Sequence, residues 1–298
     1  MIKILLIGST GQVGWELQRS LQPLGSVIAV SQSTPDLAID LTSTDQISTL
    51  VRHVKPQIII NAAAYTAVDR AESEPDIAQA INGIAPGILA EEAKALGAIL
   101  IHYSTDYVFN GRAQSPYVES ATPDPLNVYG KTKLAGEEAI VAVDGAYLIL
   151  RTSWVYGIRG RNFLKTVLRL AQSQPQLKIV NDQWGGPTWS RTIAESTSYL
   201  LTRSLPDLAS FLQDVKGIYH LTCGGTTTWY EFAREILTLA PPQATDPFQD
   251  LTGIPTSEYP TPAERPRYSV LDTGKIQETF GLHLPDWQAA LSWALAES

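Results

Sequence analysis

The sequence predicts an α/β fold: a doubly wound parallel sheet of the Rossmann type with a smaller C-terminal substrate lobe. Short apolar runs alternate with helical patterns up to about residue 222, which is typical of a parallel sheet covered by helices on both faces. A glycine-rich turn, Gly8-Ser-Thr-Gly11-Gln-Val-Gly14, directly follows the first apolar run. Beyond residue 222 the alternation ends, and seven prolines fall between residues 241 and 266.

The alternating part of the chain supplies the predicted strands and helices. The runs at 57–61 and 98–104 are almost continuously apolar, as expected of strands buried on both faces. Ser43-Thr-Asp-Gln46 has the spacing of a capping box and marks the start of one helix. The predicted strands are 2–7, 26–31, 57–61, 98–104, 146–152, 177–181 and 217–222, and helical patterns lie near 12–22, 43–54, 76–96, 129–142, 161–173 and 189–204.

The C-terminal quarter has a different organisation. A helical pattern near 229–239 precedes the Pro-rich stretch, and short helical patterns follow near 273–279 and 286–296. Such a segment cannot continue a parallel sheet, so we expect it to form a lid or a separate lobe. The predicted dinucleotide-binding domain comprises residues 1–154 plus 186–222, and the predicted substrate lobe comprises residues 155–185 plus 223–298.

Composition indicates an ordinary soluble globular protein and excludes several classes. Of the 298 residues, 44% are hydrophobic and 17% charged, and the net charge of −8 argues against a nucleic-acid partner. No apolar stretch reaches the roughly 18 residues that span a membrane, and the N-terminal run is too short for a signal peptide. The single cysteine, Cys223, suits a reducing compartment. We therefore expect a cytoplasmic protein without a membrane partner.

The glycine-rich turn indicates a dinucleotide cofactor. A buried strand, three glycines and a helix follow one another in the order of a βαβ unit, with Gly8, Gly11 and Gly14 in the turn. Glycines allow a tight turn and close approach of the backbone to a pyrophosphate, whose charge then rests on a helix N-terminus. Ligands of such sheets bind beyond the carboxyl ends of the strands, which is where further chemistry is expected.

Tyr129 and Lys133 form the single Tyr-x-x-x-Lys pair in the chain. They lie one turn apart on one face of a predicted helix. A free phenol has a pKa of about 10, and a nearby ammonium lowers that pKa by favouring the phenolate. The same ammonium can hydrogen-bond a ribose hydroxyl. The pair therefore predicts a proton-transfer site beside a bound dinucleotide.

A third participant is expected at the end of the fourth strand. His102-Tyr-Ser-Thr-Asp-Tyr-Val-Phe109 places the hydroxyls of Ser104 and Thr105 there. Either hydroxyl could hydrogen-bond a substrate carbonyl and stabilise the developing oxyanion. The sequence contains no Gly-x-Ser-x-Gly hydrolase elbow, and its four histidines show no metal-ligand spacing, so no metal ligands are predicted.

These motifs resemble the extended short-chain dehydrogenase/reductase superfamily and, within it, the dTDP-4-dehydrorhamnose reductase family. The resemblance covers residues 8 to about 270. It implies reduction of a nucleotide-linked 4-keto sugar with NADPH or NADH, for surface polysaccharide synthesis. The matching blocks are Gly11-Gln-Val-Gly-Trp-Glu-Leu17, Asn61-Ala-Ala-Ala-Tyr-Thr-Ala-Val-Asp69, 102–109, Asn127-Val-Tyr-Gly130, Arg151-Thr-Ser-Trp-Val-Tyr156, Asn181-Asp-Gln183, Thr226-Thr-Thr-Trp-Tyr230 and Tyr259-Pro-Thr-Pro-Ala263.

The resemblance also implies roles for individual residues. Tyr129 would donate the proton, Lys133 would tune Tyr129 and hold the ribose, and Thr105 would bind the substrate oxygen. The residues expected to bind the cofactor are Gly8, Thr10, Gly11, Gln12, Val13, Gly14, Ser31, Asp40, Leu41, Ala62, Ala63, Ala64, Tyr103, Tyr129 and Lys133. Those expected to bind the nucleotide sugar are Ser104, Thr105, Asp106, Tyr129 and Trp154, with Trp229 a weaker candidate because helix-start packing explains it equally well.

Other members of the superfamily catalyse different reactions, and some are not enzymes. Its dehydratases carry Asp-Glu after the Ser/Thr, whereas Asp106 is followed by Tyr107 here, which argues against elimination of water. Two alternatives stay open: a non-catalytic NADP-binding regulatory subunit, which is expected to lose the tyrosine or the lysine, and a sugar-nucleotide epimerase, which recycles its cofactor. For an anionic ligand the candidate cations are Arg159, Arg161, Lys165, Arg265 and Arg267, each of which alone is better explained as a surface charge.

Two positions depart from expectation. Ser31 ends the second strand where NAD-preferring folds carry an acidic residue, so we expect NADPH to be accepted at least as well as NADH. Some members of the family form homodimers bridged by Mg²⁺ through glutamates. Glu16 and Glu297 match two such positions, but Arg191 stands where a glutamate is expected and Glu195 lies one turn further. Arginine cannot ligate a cation, which argues against the bridge and leaves the oligomeric state open.

Overall fold

The computed structural model describes residues 2–35, 37–204, 215–243 and 245–297. Its strands, in chain order, are β1 (Ile2–Ile7), β2 (Gly25–Val30), β3 (Ile58–Asn61), β4 (Ile99–Thr105), β5 (Ala146–Thr152), β6 (Val155–Tyr156), β7 (Gln176–Val180), β8 (Trp184–Gly185), β9 (Thr188–Trp189), β10 (Gly217–His220), β11 (Thr227–Thr228) and β12 (Asp250–Ile254). Its α-helices are α1 (Gln12–Ser20), α2 (Thr44–Val54), α3 (Val68–Ala71), α4 (Pro75–Gln79), α5 (Ala85–Leu96), α6 (Val128–Val143), α7 (Phe163–Ala171), α8 (Ser190–Ser204), α9 (Trp229–Leu239), α10 (Gly274–Phe280) and α11 (Trp287–Ala296).

Six strands form the central sheet, in the order β10-β5-β4-β3-β1-β2, and all neighbours are parallel. Strand order reverses beside β1, because β2 lies on one side of it and β3 on the other. The doubly wound parallel sheet predicted from the sequence is confirmed. The carboxyl ends of β1, β3, β4 and β5 therefore share one edge, which is where ligands of such sheets bind.

The side chains of β1 alternate between the two faces of the sheet, and each face carries its own core. Ile4 and Leu6 pack with residues of α1, α8 and α10. Leu5 and Ile7 pack with residues of α2, α5 and α6. Burial on both faces explains why the central strands are almost continuously apolar.

A third apolar cluster lies in the C-terminal part of the chain. Residues of α7, α9 and α11, among them Leu164, Phe232 and Leu291, form its buried centre. Leu177 of β7 belongs to this cluster, and β7 pairs in parallel with β12 rather than with the central sheet. The prediction that 177–181 is a strand of the main sheet was therefore wrong. The strand β12 was missed, because the strand it pairs with, β7, lies about 70 residues earlier in the chain. The predicted division into two domains remains a prediction.

The predicted helix at 76–96 is divided into α4, a five-residue π-helical segment at 80–84, and α5. Pro86 lacks the backbone N–H that would continue the helical hydrogen bonds from α4 into α5. Asn82 lies inside the π-helical segment, and its side chain bonds both backbone groups of Tyr65. It accepts from the Tyr65 N–H at 2.9 Å and donates to the Tyr65 carbonyl at 3.1 Å. A Cβ on Gly136 would lie 2.1 Å from the Asn82 carbonyl oxygen, so α6 packs directly on this segment.

In the described part of the chain, no helix is both long enough and apolar enough to cross a membrane.

Candidate active site

The glycine-rich turn joins β1 to α1 at the ligand-binding edge. Gly8 has φ +87°, and a Cβ there would lie 2.6 Å from the amide nitrogen of Ala63. A Cβ on Gly14 would lie 2.1 Å from the Gly8 carbonyl oxygen. Gly11 caps α1 without a side chain, which leaves the first N–H groups of the helix, from Gln12 and Val13 onward, without helical partners. The turn is therefore suited to hold a pyrophosphate.

The other residues expected at the cofactor lie around this turn. Ser31 is buried after β2, and its hydroxyl is 3.1 Å from that of Thr34. The Ser31 carbonyl accepts from the Ile39 N–H, which places Asp40 and Leu41 nearby. Hydrogen bonds from the Thr42 N–H and hydroxyl lower the pKa of Asp40. Thr10 is exposed at the turn, and Ala62, Ala63 and Ala64 are partly exposed after β3.

Tyr129 and Thr105 meet at the end of β4. Burial raises the pKa of Tyr129 to about 12, although the neighbouring Thr105 hydroxyl opposes the shift. The shift is opposite to the one expected from a neighbouring ammonium. The Tyr107 ring lies edge-on to Tyr129, with centroids 5.8 Å apart. Tyr129 is thus a phenol held protonated beside a threonine hydroxyl.

The start of α6 fixes the position of Tyr129. Asn127 caps the helix by accepting from the Gly130 N–H at 2.8 Å, and it donates to the Glu264 carbonyl at 2.7 Å. A Cβ on Gly130 would lie 2.2 Å from the Tyr107 carbonyl oxygen. Glycine is therefore required at this position for α6 to approach the end of β4.

Asp106 is the buried carboxyl of the site. It accepts hydrogen bonds from Thr105 at 3.0 Å and from Ser153, after β5, at 2.9 Å. Burial raises the pKa of Asp106 to about 6, although these hydrogen bonds oppose the shift. Ser104 is also buried, and its hydroxyl has no partner among the described residues. Ser153 was missed at the sequence level, and its position directly after the fifth strand was the available signal.

Lys133 points toward β4 and not toward solvent. Its Nζ donates to the Tyr103 carbonyl at 2.7 Å and lies 3.2 Å from His102 Nε2. Burial lowers the pKa of Lys133 to about 8. The Tyr103 side chain lies in the core, with its hydroxyl 2.7 Å from that of Thr197. The sequence did not indicate that the Tyr103 side chain faces away from the cofactor turn, so that only its main chain lies beside Lys133.

Trp154 has a left-handed backbone, with φ +46°, and its ring stacks on Trp229 at 3.5 Å and 7°. A Cβ on Gly185 would lie 2.4 Å from the Trp154 ring, so the indole is held between Gly185 and Trp229. Trp154 follows β5 at the same edge as Thr105 and is only partly buried. The structure therefore joins the two candidate tryptophans into one aromatic wall.

A cavity of about 500 Å³ lies beside the start of α6. Leu126 lines it from the α6 side, and the segment 259–265 lines it from the C-terminal part. Three arginines, Arg112, Arg265 and Arg267, face it together with one carboxylate, that of Glu264. Arg265 is paired with Asp69 at 3.0 Å, whereas Arg112 and Arg267 have no ion pair among the described residues. Of the five predicted anion-binding cations, the structure brings Arg265 and Arg267 to this cavity.

The two glutamates expected to bind a bridging Mg²⁺, Glu16 and Glu297, instead form ion pairs with an arginine of the same chain. Arg191 donates to the buried carboxylate of Glu16 at 3.2 Å and also to Glu297. A guanidinium has no lone pair with which to bind a metal. Among the described residues, no group of three or more His, Cys, Asp or Glu side chains is placed to hold a metal ion. These residues do not fit a divalent cation.

We therefore predict that removing divalent cations changes neither activity nor thermal stability. Because the Arg191 guanidinium already compensates Glu16 and Glu297, a chelator has nothing to remove at this position. The measurement is the melting temperature and kcat before and after dialysis against EDTA, with MgCl₂ added back as the control. A loss of either quantity that MgCl₂ restores would contradict the prediction.

The fold and the site define an extended short-chain dehydrogenase/reductase, an NAD(P)-dependent oxidoreductase. The defining features are the parallel sheet of this strand order, the glycine-rich turn after β1, and the pair Tyr129-x-x-x-Lys133 beside Thr105. The family model of the RmlD substrate binding domain matches residues 2–298. The chain belongs to the dTDP-4-dehydrorhamnose reductase family, which confirms the resemblance found in the sequence.

The relatives match this chain along its whole length. The dTDP-4-dehydrorhamnose reductase of Escherichia coli strain K12 is 47% identical over 298 residues, covering 99% of this chain and 98% of its own. The reductase of Burkholderia thailandensis is 44% identical and covers 97% of each chain. The crystal structure of the Bacillus anthracis reductase in complex with NADP is 33% identical, superposes with a TM-score of 0.90 and covers 100% of both chains.

Proposed function

We propose that the chain reduces the 4-keto group of dTDP-4-dehydro-L-rhamnose to dTDP-L-rhamnose with NADPH, in dTDP-rhamnose and surface polysaccharide biosynthesis. The observation that carries this proposal is the buried, protonated Tyr129 phenol beside the Thr105 hydroxyl at the ligand-binding edge of the sheet. A ketone oxygen placed between these groups receives one proton donor and one further hydrogen bond. The high identity to reductases along the full chain supports the same substrate.

Tyr129 is the proposed general acid. A phenol with a pKa of about 12 is fully protonated near neutral pH, so it can give its proton to an alkoxide as that alkoxide forms. Thr105 donates its single hydroxyl proton to Asp106 in the free protein and would turn it to the substrate oxygen, where it shares the developing negative charge. Bound NADPH supplies the hydride. Trp154 and Ser104 would line the sugar pocket, and Lys133 would hydrogen-bond the nicotinamide ribose.

Asp106 is proposed to position Thr105 and not to remove a proton from the substrate. Its two carboxyl oxygens accept from Thr105 and Ser153, which holds the Thr105 side chain at the end of β4 in the free protein. The residue after it is Tyr107, so the acid–base pair needed to eliminate water is absent at this position. Reduction without elimination is the chemistry that these residues support.

The cofactor is proposed to lie along the carboxyl ends of β1, β2 and β3. The space that a Cβ would fill at Gly8 and Gly14 is occupied by the chain's own backbone, so glycine is needed for this tight turn, and the N–H groups at the start of α1 that lack helical partners would bind the pyrophosphate. Ser31 has a hydroxyl at the position where NAD-preferring folds carry an acidic residue, and the hydroxyls of Ser33 and Thr34 lie 3.3 and 3.1 Å from it, so no carboxylate of residue 31 repels a 2′-phosphate. This supports NADPH as a cofactor accepted at least as well as NADH.

The arginine-lined cavity is the proposed site of the substrate diphosphate. It adjoins α6 three residues before Tyr129, since Leu126 lines it. In a chain of net charge −8, Arg112 and Arg267 both line this cavity, and neither has an ion pair among the described residues. A diphosphate bound there would place the attached sugar toward Tyr129.

Replacing Arg267 with glutamine is expected to raise the KM for the nucleotide sugar about tenfold and to leave kcat and the Kd for NADPH unchanged. A hydrogen bond between ionised groups contributes about 1.5–3 kcal/mol, and 1.4 kcal/mol corresponds to one factor of ten. Steady-state kinetics with Arg169→Gln as the control tests this, because Arg169 is also an exposed arginine and lies on α7. An unchanged KM in Arg267→Gln would remove this residue from the substrate site.

The proposed function is tested by incubating the purified protein with NADPH and dTDP-4-dehydro-L-rhamnose. We expect one NADPH consumed per ketone and, by NMR, a product with the C4 configuration of dTDP-L-rhamnose. A regulatory subunit would consume no NADPH, and an epimerase would convert the sugar without net oxidation of NADPH. Either result would overturn the proposal. We further propose a cytoplasmic location. We also propose the domain division given above, and limited proteolysis near residues 155 and 222 would test that division.

A further inference from the structure

The loop between β6 and α7, residues 157–162, lies against the first turn of α1. Asn162 Nδ2 donates a hydrogen bond to Gln12 Oε1 at 2.8 Å. Gly160 has φ +70°, and a Cβ there would lie 3.2 Å from Gln12 Cγ. A Cβ on Gly157 would lie 3.7 Å from Gln12 Oε1. The loop therefore packs directly on the Gln12 side chain, beside the turn that is suited to hold a pyrophosphate.

A second contact holds this loop on α1. The Arg159 guanidinium carbon lies 3.9 Å from the centroid of the Trp15 ring, and that of Arg19 lies 3.8 Å from the same centroid. One face of the indole has no room for two guanidinium groups at this distance, so the two arginines lie on opposite faces. Since a cation is attracted to the face of an indole, Arg159 fastens the loop to the helix that begins with Gln12.

The orientation of the Asn162 amide is fixed by its own helix. Its Oδ1 accepts from the Lys165 N–H at 3.1 Å and so caps α7. Its Nδ2 also donates to the Gly157 carbonyl, at 2.7 Å. An amide nitrogen donates and does not accept, so Gln12 meets Asn162 with its carbonyl oxygen.

This bond in turn orients the Gln12 amide. With Oε1 directed to Asn162, Nε2 is directed away from it, and Nε2 has no hydrogen-bond partner among the described residues. The backbone N–H of Gln12 is one of the first N–H groups of α1, which lack helical partners. One residue therefore offers a main-chain donor and a side-chain donor at the glycine-rich turn.

We propose that Asn162 is a positioning residue for the cofactor, because it turns the Gln12 amide so that Nε2 donates to the pyrophosphate of NADPH. Gln12 then binds the cofactor through its side chain as well as its backbone. The opposite orientation would present a carbonyl oxygen, which repels an anion. The cap of α7 prevents it, since Oδ1 of Asn162 is already held by Lys165.

The test is the Kd for NADPH, measured by titrating its fluorescence with the purified protein. Gln12→Met keeps a side chain of similar length without the amide, and it should raise the Kd about tenfold, the effect of losing a hydrogen bond to an ionised group. Gln174→Met, at an exposed glutamine after α7, is the matched control and should leave the Kd unchanged. An unchanged Kd in Gln12→Met would overturn the inference.

Asn162→Asp tests the orientation of the amide. Aspartate still caps a helix, but its carboxylate only accepts, so Gln12 would turn Nε2 to it and present Oε1 to the cofactor. We expect the Kd for NADPH to rise tenfold or more. The Kd for adenosine 2′-phosphate, which has no pyrophosphate, should stay unchanged. Equal weakening of both ligands would show general damage to the site and would overturn the inference.

A double variant separates positioning from the added charge and from loop packing. If Asn162 acts through Gln12, Asn162→Asp in the Gln12→Met background should change the Kd less than threefold further. Effects that simply multiply would mean that the charge or the loop acts alone, which contradicts the inference. These titrations use no nucleotide sugar, so their result is independent of whether the protein reduces dTDP-4-dehydro-L-rhamnose.

Discussion

Tyr129→Phe is expected to lower kcat at least about 10²-fold, the lower end of the range for general acid catalysis, while the Kd for NADPH stays unchanged. The variant keeps the ring and its edge-on contact with Tyr107 and removes only the hydroxyl beside Thr105. The alkoxide formed by hydride transfer then has no adjacent acid. Single-turnover NADPH oxidation, monitored by absorbance, measures the effect on chemistry without contribution from product release.

The matched control is Tyr199→Phe. Tyr199 is an exposed tyrosine of α8, so the same loss of one hydroxyl oxygen occurs away from the site. We expect its kcat to equal that of the unmodified protein. A Tyr129→Phe rate close to that of this control would remove Tyr129 from its proposed role. Loss of NADPH binding in Tyr129→Phe would instead show that the hydroxyl organises the cofactor site.

Glu137→Gln is expected to lower the free energy of unfolding by about 3–5 kcal/mol, the cost of breaking a buried ion pair by removing one partner. The Glu137 and Arg151 side chains are each 2% exposed and are joined by three hydrogen bonds, from Arg151 Nε to both carboxylate oxygens at 2.9 and 3.2 Å and from Nη2 to Oε2 at 2.6 Å. Arg151 Nη1 has no partner among the described residues, so the guanidinium already depends on this carboxylate. Urea unfolding followed by circular dichroism provides the measurement.

Asp144→Asn is the control for the buried pair. The Asp144 carboxylate pairs with Lys216 at 2.5 Å but is 73% exposed, and asparagine tolerates the left-handed backbone, φ +53°, at that position. Surface pairs contribute about 0–1 kcal/mol, so the urea midpoint should hardly move. Equal effects of the two variants would show that the pair between α6 and β5 is not the stabilising contact that its burial implies.

The sequence determined the parts of the site that depend on local geometry. Gly8 and Gly14 stand where the backbone turns tightly, and the structure leaves no room for a Cβ at either. Tyr129 and Lys133 follow a helix start at Asn127, and the structure caps α6 with that asparagine. The alternation of apolar runs and helices likewise predicted the parallel sheet, because each strand must be buried on both faces.

The tertiary structure decided what depends on residues far apart in the chain. The partner of β7 is β12, the partner of Trp154 is Trp229, and Arg191 lies between Glu16 and Glu297. None of these pairs has a local signal, since each is set by which surfaces meet when the layers pack.

The pKa of Tyr129 illustrates the same division. From the sequence, an ammonium four residues away was expected to lower it. In the fold Lys133 turns to the Tyr103 carbonyl and His102, so that burial, which disfavours the phenolate, determines the shift. Spacing along a helix fixes which residues share a face, and the surrounding strands decide what those residues contact.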